Sequence, residues 1–398
     1  MTDARAAAER AARGSYGRLV ALLAARSGDI AAAEDALADA FAAALRVWPD
    51  RGVPDRPEAW LLTAARRTLG HGHRHDKVRD AAAAPLRLLA EECADLGSDF
   101  PDERLRLLFV CAHPAIDEGV RTPLMLQTVL GLDAQRIAAA FLVAPAAMGQ
   151  RLVRAKAKIR DARIPFEPPD TQALPERLGP VLAAVYAAYG SAWDAGPGAD
   201  APHSLAGEAL FLARLLADLL PEEPEAKGLL ALLLHCEARA DARRIGGAYV
   251  PLAEQDPARW SRPTIGEAEA LLRAAAMAGR PGRYQTEAAI QSWHVAARAR
   301  GADPAALALL YDHLAAATPA LGVLVARAAA HGEARGAEAG LALLDALEPD
   351  RVRSYQPYWA ARAHLLRVAG QEATPAYDRA IGLATDPAVR AFLAARAR

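Results

Sequence analysis

One stretch of the chain carries most of the side chains suited to binding chemistry. From Pro145 to Asp161 it reads PAAMGQRLVRAKAKIRD, with five Lys or Arg against one Asp, a balance of +4. Arg and Gln can hydrogen-bond base edges in the major groove of DNA, and Lys can neutralise phosphate. The pattern predicts a DNA-binding helix, although a helical hairpin with a solvated basic face would explain the same residues. The candidate contacts are Gln150, Arg151, Arg154, Lys156, Lys158 and Arg160.

The residues around this stretch predict the frame that holds it. Asp133 suits the N-cap of the segment AQRIAAAF, and Pro145 suits the first position of the next helix. A preceding helix is predicted from the apolar spacing of Leu124, Leu126, Val129 and Leu130. The buried side of the basic helix is predicted at Met148, Leu152, Ala155 and Ile159. Short helices joined by a tight turn are typical of a helix–turn–helix, which sets its last helix into the major groove.

Composition predicts an almost all-α protein. The chain has 398 residues, enough for two to four domains, and 53% of them are hydrophobic, with Ala dominant. The net charge of −1 divides into +3 for residues 1–164 and −4 for residues 165–398. No signal peptide and no apolar run of about 18 residues is visible, so we expect no membrane span and a cytoplasmic location.

The sequence offers little support for metal, disulfide or nucleophile chemistry. The cysteines, Cys93, Cys111 and Cys236, lie far apart without a CxxC pair. Cys111 with His113 reads as packing at a helix end. His71 and His75 lie one turn apart in HGHRH, but no third ligand is near, so no metal site is predicted. No phosphate-binding or nucleotide-binding glycine motif occurs, and no cofactor is expected.

Breaks in the pattern predict four segments. These are a helical domain over residues 1–76, a linker over 77–101, a helix–turn–helix domain over 102–164 and a helical extension over 171–398. Near the C-terminus a small–large–small pattern recurs after 34 residues, which is typical of tetratricopeptide-like helix pairs. Its two copies are Ala339, Leu343, Ala346 and Ala373, Tyr377, Ala380.

Five strings in order resemble an extracytoplasmic-function (group IV) sigma factor of bacterial RNA polymerase, in the subgroup with a long tetratricopeptide-like C-terminal extension. The strings are AAAEDALADAFAAAL (31–45), GVPDRPEAWLLTAAR (52–66), RLRLLFVCAHPAI (104–116), IAAAFLVAPAAMGQRLVRAKAKIRDARIPF (137–166) and YQTEAAI (284–290). The resemblance implies two small helical domains plus the extension. It implies a non-enzymatic protein that binds core RNA polymerase and promoter DNA, with the extension receiving a small-molecule or protein signal.

The resemblance also implies roles for particular residues. The helix that docks on core polymerase carries Glu34, Asp35, Asp39 and Phe41. The part that opens the −10 element carries Trp60, Arg66, Arg67, His71 and Arg74, although Trp60 also reads as a core residue. The −35 element is read by the helix that starts at Pro145, with Arg136 on the preceding helix contacting phosphate.

Departures from the family pattern leave an alternative open. Arg67 and His71 stand where the family usually has Asn and Asp, and Gly190–Trp193 replaces its Asn–Glu–Gly–Tyr string. The alternative is a sigma-like scaffold that no longer starts transcription and binds or transforms a small molecule in the C-terminal domain. A candidate pocket there would use Tyr186, Tyr189, Trp193, His235, Tyr284, Gln285 and His294, although core aromatics explain most of these residues.

Overall fold

The computed structural model describes residues 2–71, 103–141, 143–167, 173–194 and 205–398. Contacts divide the chain into two compact units, Met1–Leu219 and Leu220–Arg398. The all-α prediction is confirmed, because the regular elements of the described residues are helices apart from one short hairpin. Within the same residues, no helix combines the length and apolar character needed to cross a membrane.

The first unit begins with three mutually packed helices, α1 (Thr2–Ser27), α2 (Ile30–Arg51) and α3 (Pro57–His71). The break between α1 and α2 is formed by Gly28 and Asp29. Gly28 has a φ of +69°, which favours glycine, and Asp29 caps α2 by accepting a hydrogen bond from the backbone N–H of Ala32.

The spacing of apolar residues predicts that α2 buries Ile30, Ala33, Leu37, Phe41 and Leu45. In the structure Phe41 is half-buried and Leu45 is 49% exposed, whereas Ala44 and Trp48 are buried. A helical turn contains 3.6 residues, so repeated steps of four drift away from the buried side. The buried row therefore shifts by one residue, and Trp48 meets the edge of Trp60 on α3 at 5.5 Å between ring centroids.

Four further helices follow in the first unit, and the basic stretch forms the last of them. They are α4 (Glu103–Cys111), α5 (Glu118–Thr128), α6 (Ala134–Ala140) and α7 (Pro145–Asp161). The core between them is formed by buried Leu124 and Val129, which the sequence predicted, together with Ile137 and Phe109. The predicted linker 77–101 lies outside the described residues.

The first unit ends with α8 (Leu174–Asp194) and α9 (Leu205–Leu219), which pack on each other. α8 also packs on α5, and buried Arg104 of α4 forms an ion pair with Glu208 of α9. The Arg104 guanidinium lies 5.1 Å from the ring centroid of Phe211. The four predicted domains remain predictions, but these contacts group α8 and α9 with the first unit although the prediction counts them with the extension.

The second unit is a succession of packed helices. They are α10 (Pro224–Glu237), α11 (Arg262–Ala276), α12 (Arg283–Arg300), α13 (Pro304–Ala317), α14 (Leu321–Arg335), α15 (Ala337–Asp345), α16 (Pro349–Val352), α17 (Gln356–Val368), α18 (Thr374–Leu383) and α19 (Pro387–Arg396). Between α10 and α11 stands the hairpin of β1 (Arg244–Ile245) and β2 (Ala248–Tyr249), whose strands pair antiparallel. Its turn residues, Gly246 and Gly247, both have positive φ, as a two-residue hairpin turn requires.

The predicted repeat is wrong in register. Ala339 and Leu343 are half-buried and Ala346 is exposed. The buried row is Gly340, Leu341 and Leu344, which corresponds to Ala376, Tyr377 and Ala380 after 36 residues. α14 pairs with α15, and α17 pairs with α18. A tetratricopeptide-like assignment of these pairs stays a prediction.

Glycine sets the register of the first pair, because two backbones approach closely there. A Cβ atom built on Gly340 of α15 would lie 2.6 Å from the carbonyl oxygen of Ala328 on α14 and 3.0 Å from the Cα atom of Gly332. The backbone approach excludes any side chain at Gly340.

We predict that Gly340→Ala lowers the free energy of unfolding by about 1–3 kcal/mol, because the added methyl group overpacks the contact between α14 and α15. The matched control is Gly382→Ala on α18, where a Cβ atom meets nothing within 4 Å. The control should be neutral or stabilising by about 0.5–1 kcal/mol, because Ala favours helix over Gly. Urea denaturation of the full chain followed by circular dichroism measures both, and equal effects would contradict the close approach.

Candidate nucleic-acid interface

The basic helix α7 is fixed by its ends and by one buried row. Pro145 occupies its first turn, as predicted, and the buried residues are the predicted Met148, Leu152, Ala155 and Ile159. α6 packs against α7 and is capped by Asp133, whose carboxylate accepts a hydrogen bond from the Arg136 N–H at 2.8 Å. This frame decides which side of α7 faces outward.

The outward side of α7 presents hydrogen-bond donors and positive charge. Its exposed residues are Gln150, Arg151, Arg154, Lys158 and Arg160, and Arg136 on α6 is also exposed. Val153 lies among them with 67% of its surface exposed. Chemically, this side can hydrogen-bond base edges through Gln and Arg, contact thymine methyl groups through Val153 and neutralise phosphates.

Lys156 differs from its neighbours. The sequence placed it on an outer face, but it is only 8% exposed and forms an ion pair with Glu34 of α2. The cause is helical geometry, because Lys156 follows Leu152 by four residues and precedes Ile159 by three, which puts it beside the buried row. Burial raises the pKa of the Glu34 carboxyl, while the nearby Lys156 ammonium opposes that rise. Sequence spacing could have indicated the edge position of Lys156 but not its partner.

The predicted polymerase-docking residues of α2 likewise comprise exposed residues and one residue that pairs with another helix. Asp35 and Asp39 are exposed, and Phe41 is half-buried. Glu34 faces α7, and a second contact between these helices brings a carboxylate oxygen of Asp29 to 3.9 Å from the Arg160 guanidinium. Of the predicted docking residues, Asp35 and Asp39 are therefore the exposed ones.

The predicted −10 residues lie on α3 and beyond it. Trp60 and Arg66 are half-buried, and Arg67 is exposed. The edge contact with Trp48 supports the interpretation of Trp60 as a packing residue. The side chain of His71 and the whole of Arg74 lie outside the described residues.

The candidate pocket residues fall in both units. Tyr186 is half-buried and Tyr189 is buried on α8 of the first unit, where the side chain of Trp193 lies outside the described residues. His235, Tyr284, Gln285 and His294 belong to the second unit, on α10 and α12. A single pocket formed by all seven residues remains a prediction.

In the second unit, Gln285 takes part in a structural cap. The Glu225 carboxylate on α10 accepts hydrogen bonds from the backbone N–H groups of Tyr284 (3.0 Å) and Gln285 (3.1 Å) and from the Gln285 side-chain amide (3.2 Å). A carboxylate at a helix N-terminus satisfies unpaired N–H groups and matches the helix dipole. A Cβ atom on Gly228 would lie 2.7 Å from the Gln285 nitrogen, so α10 and α12 are in close contact here.

His235 is a neutral, fully buried side chain. Neither ring nitrogen has a hydrogen-bond partner among the described residues, although Nε2 lies 3.5 Å from an oxygen of Glu269. Burial lowers the pKa of His235 to about 4, with Arg239 adding to the shift and Glu269 opposing it. Burial lowers the pKa of His294 to about 4 as well.

The described residues contain no group of three or more His, Cys, Asp or Glu side chains that could hold a metal ion. Cys111 is fully buried, with its sulfur 3.6 Å from the Thr128 hydroxyl. Burial raises the pKa of the Cys111 thiol to about 12, so it remains protonated and unreactive at neutral pH. This agrees with the interpretation of Cys111 and His113 as packing residues at a helix end.

Two segments of the chain match family models. Residues 13–78, which include α2 and α3, match sigma-70 region 2. This match supports a sigma factor of the sigma-70 family, which is a class of transcription factors and not of enzymes. Residues 177–276 match a family of unknown function, DUF6596.

A curated relative matches over almost the whole length. The chain is 40% identical over 374 residues to the uncharacterized protein R00370 of Rhizobium meliloti (strain 1021), covering 91% of this chain and 88% of the relative. No solved structure matches the chain.

We predict that stability falls as the pH drops from about 6.5 to about 4, because the unfolded chain binds a proton at His235 that the folded chain excludes. The stabilisation is complete above the unfolded pKa and is lost as the pH approaches the lowered folded pKa. The His235 contribution should reach about 3 kcal/mol over this window. Urea denaturation of the wild type and of His235→Gln at several pH values measures it. Parallel profiles for the two proteins would contradict the assignment.

Proposed function

Because this chain belongs to the protein family of Rhizobium meliloti R00370 and carries a sigma-70 region 2, we propose that it is a sigma factor that binds core RNA polymerase and directs promoter recognition and transcription initiation. The observation that carries the proposal is the region 2 match over residues 13–78. On this proposal the protein works in the cytoplasm beside RNA polymerase.

We assign the docking of core polymerase to α2, which lies within the segment that matches sigma-70 region 2. Asp35 and Asp39 are exposed on it, so both carboxylates are available to an Arg-rich partner surface. Such surface carboxylates guide association and fix its orientation more than they supply affinity.

We assign promoter recognition to α7 and to the basic end of α3. The exposed Gln150 suits base edges, Arg151 and Arg154 suit both base edges and phosphate, and Lys158 and Arg136 suit phosphate. For the −10 element, we favour Arg67 on α3, because among the described candidates its side chain is exposed to solvent. These residue roles are part of the proposal.

The finer assignment is the extracytoplasmic-function subgroup with a regulatory helical extension. Its support is the order of elements, with paired helices such as α14–α15 and α17–α18 following the two DNA-binding segments. In this role the extension would receive a protein or small-molecule signal.

The alternative of a repurposed scaffold is not favoured by the described residues. It expects Arg151 and Arg154 to be covered or engaged internally, and both are exposed. The family models that match are sigma-70 region 2 and a family of unknown function.

We predict that Asp35→Lys with Asp39→Lys abolishes binding to core polymerase, because two repelling charges replace two attracting ones on the docking face. The measurements are co-purification with core enzyme and run-off transcription from the DNA upstream of the protein's own coding sequence. The wild type should give a defined transcript and the variant none.

A matched control reverses two other exposed carboxylates, Glu338→Lys with Asp350→Lys in the second unit, and should keep polymerase binding. Circular dichroism checks that both proteins remain folded. Co-purification of the Asp35 and Asp39 variant at wild-type level would remove α2 as the docking element, and a wild type without transcript would count against the whole proposal.

We predict that Arg151→Ala with Arg154→Ala weakens promoter binding and reduces its salt dependence, because fewer counterions are released from the DNA. Each lost phosphate contact reduces the slope of log affinity against log salt concentration by about 0.9. Fluorescence anisotropy at four salt concentrations measures the slope. Replacing the exposed Arg335 and Arg351 of the second unit by Ala should leave it unchanged, and an equal slope in all three proteins would contradict the role of α7.

A further inference from the structure

We propose that the C-terminal part of the second unit binds the phosphate backbone of duplex DNA through Arg367, Arg379 and Arg390. These three residues are called the C-terminal arginines below. The inference rests on the proposed function, which brings the chain to promoter DNA, and adds to it a sequence-independent contact outside α7 and α3.

Charge is divided unevenly along the extension. Residues 353–398 have seven Arg, no Lys and three Asp or Glu, a balance of +4. Residues 165–352 have 16 Lys or Arg and 24 Asp or Glu, a balance of −8. The guanidinium group presents a planar fork of donors that matches the geometry of phosphate. An arginine-rich end on an acidic extension therefore indicates a polyanionic partner with phosphate groups.

The C-terminal arginines are exposed, and neutral acceptors hold them in place. Each guanidinium donates a hydrogen bond to a main-chain carbonyl oxygen, and none of the three forms an ion pair with a carboxylate of the described residues. The donor–acceptor distances are 3.0 Å from Arg367 to Arg396, 3.1 Å from Arg379 to Arg353 and 2.6 Å from Arg390 to Ala384. A carbonyl oxygen fixes the position of a guanidinium without cancelling its charge, and further N–H donors remain for an anion.

Other arginines of the second unit are neutralised instead. Ion pairs join Arg362 to Asp345, Arg396 to Glu254 and Arg244 to Asp386. The last of these pairs engages one of the three acidic residues of 353–398 with an arginine from outside that range. The positive charges of the C-terminal arginines are therefore left without a paired carboxylate in the folded unit.

His364 reports a positive potential on α17. Partial burial lowers the pKa of His364, and the guanidinium groups of Arg367 and Arg396 lower it further. A nearby positive charge disfavours the imidazolium form of histidine, whereas a nearby anion favours it. This part of the surface therefore has the electrostatic sign that attracts phosphate.

The spacing of these arginines suits a partner with evenly repeated charges. The carbonyl group that holds Arg379 lies three residues before α17, and Arg367 lies in the last turn of α17. Because α17 has 13 residues, the two sites are roughly 15–20 Å apart along its axis. Duplex DNA carries one negative charge per about 1.7 Å of its axis, so a single duplex can contact both sites.

A membrane surface fits this region less well than DNA. A helix that lies on a membrane needs a large apolar side. All residues of 353–398 are described, and among them Val368 is the large hydrophobic side chain with more than half of its surface exposed. Phosphate contacts carry no direct sequence information, so the C-terminal arginines supply affinity for any duplex and leave selectivity to α7.

The test removes charge and keeps the hydrogen bonds. Arg367→Gln, Arg379→Gln and Arg390→Gln together delete three positive charges from the full chain, while each glutamine amide can still donate to a carbonyl oxygen. Fluorescence anisotropy measures binding over a range of salt concentrations to two duplexes. One is the DNA upstream of the coding sequence, and the other has the same composition in scrambled order.

A matched control deletes the same number of charges elsewhere in the second unit. Its substitutions are Arg259→Gln, Arg262→Gln and Arg335→Gln, at exposed arginines of the acidic part. Both triple variants have the same net charge, so a difference between them reports the position of the charge. Circular dichroism checks that both remain folded.

We expect the variant of the C-terminal arginines to bind both duplexes at least about fivefold more weakly at low salt. Its slope of log affinity against log salt concentration should fall by about 2 to 3, because each lost phosphate contact removes about 0.9. The ratio of the two affinities should stay that of the wild type. The control should keep the wild-type slope.

A measurement on the wild type keeps the test decisive if the triple variant does not fold. Phenylglyoxal modifies accessible arginines, and mass spectrometry locates the modified residues. The scrambled duplex should protect Arg367, Arg379 and Arg390 severalfold and leave the three control arginines unprotected.

Equal salt slopes in the two triple variants, or no protection, overturn the inference, and the proposed function stands if the wild type still prefers the upstream duplex. Polyglutamate or anionic lipid vesicles that bind the wild type as tightly as the scrambled duplex does, and lose this binding in the triple variant, overturn the assignment to DNA. A wild type that binds neither duplex contradicts the proposed promoter recognition, and the inference fails with it.

Discussion

The packing of the first unit depends on one constraint on α7. This constraint is its buried row of Met148, Leu152, Ala155 and Ile159. It fixes the rotation of α7 about its own axis, and this rotation sorts the polar residues of the helix into two groups. Gln150, Arg151, Arg154, Lys158 and Arg160 are exposed to solvent, whereas Lys156, beside the buried row, reaches Glu34 of α2. A rotation by one residue would bury an arginine and expose the apolar row, at a cost of several kcal/mol for the apolar side chains alone.

Ion pairs connect separate helices in both units. Glu34 with Lys156 and Arg104 with Glu208 connect helices far apart in sequence. In the second unit, Asp312 accepts hydrogen bonds from Arg327 and pairs with His331, and these contacts lower the pKa of Asp312 although its partial burial opposes the shift. Such pairs specify which helices meet more than they add stability.

Local signals in the sequence predicted much of the fold. Capping by Asp133, the entry of α7 at Pro145 and the helical spacing of the apolar residues are all determined by neighbours within a few positions. The partner of Lys156, the Glu225 cap on α12 and the repeat register at Gly340 depend on residues distant in sequence or on backbone approach. A single sequence carries no direct record of such contacts, so these parts of the site emerged only from the structure.

The grouping of α8 and α9 with the first unit has a consequence for how this protein can be divided. α8 covers part of α5, and Glu208 of α9 neutralises the buried Arg104. A fragment ending at residue 164 would leave that side of α5 in water and a guanidinium without its carboxylate. Deletion mapping with such short fragments would therefore combine the loss of these contacts with the loss of the deleted segment, whereas a fragment that ends at Leu219 keeps the contacts.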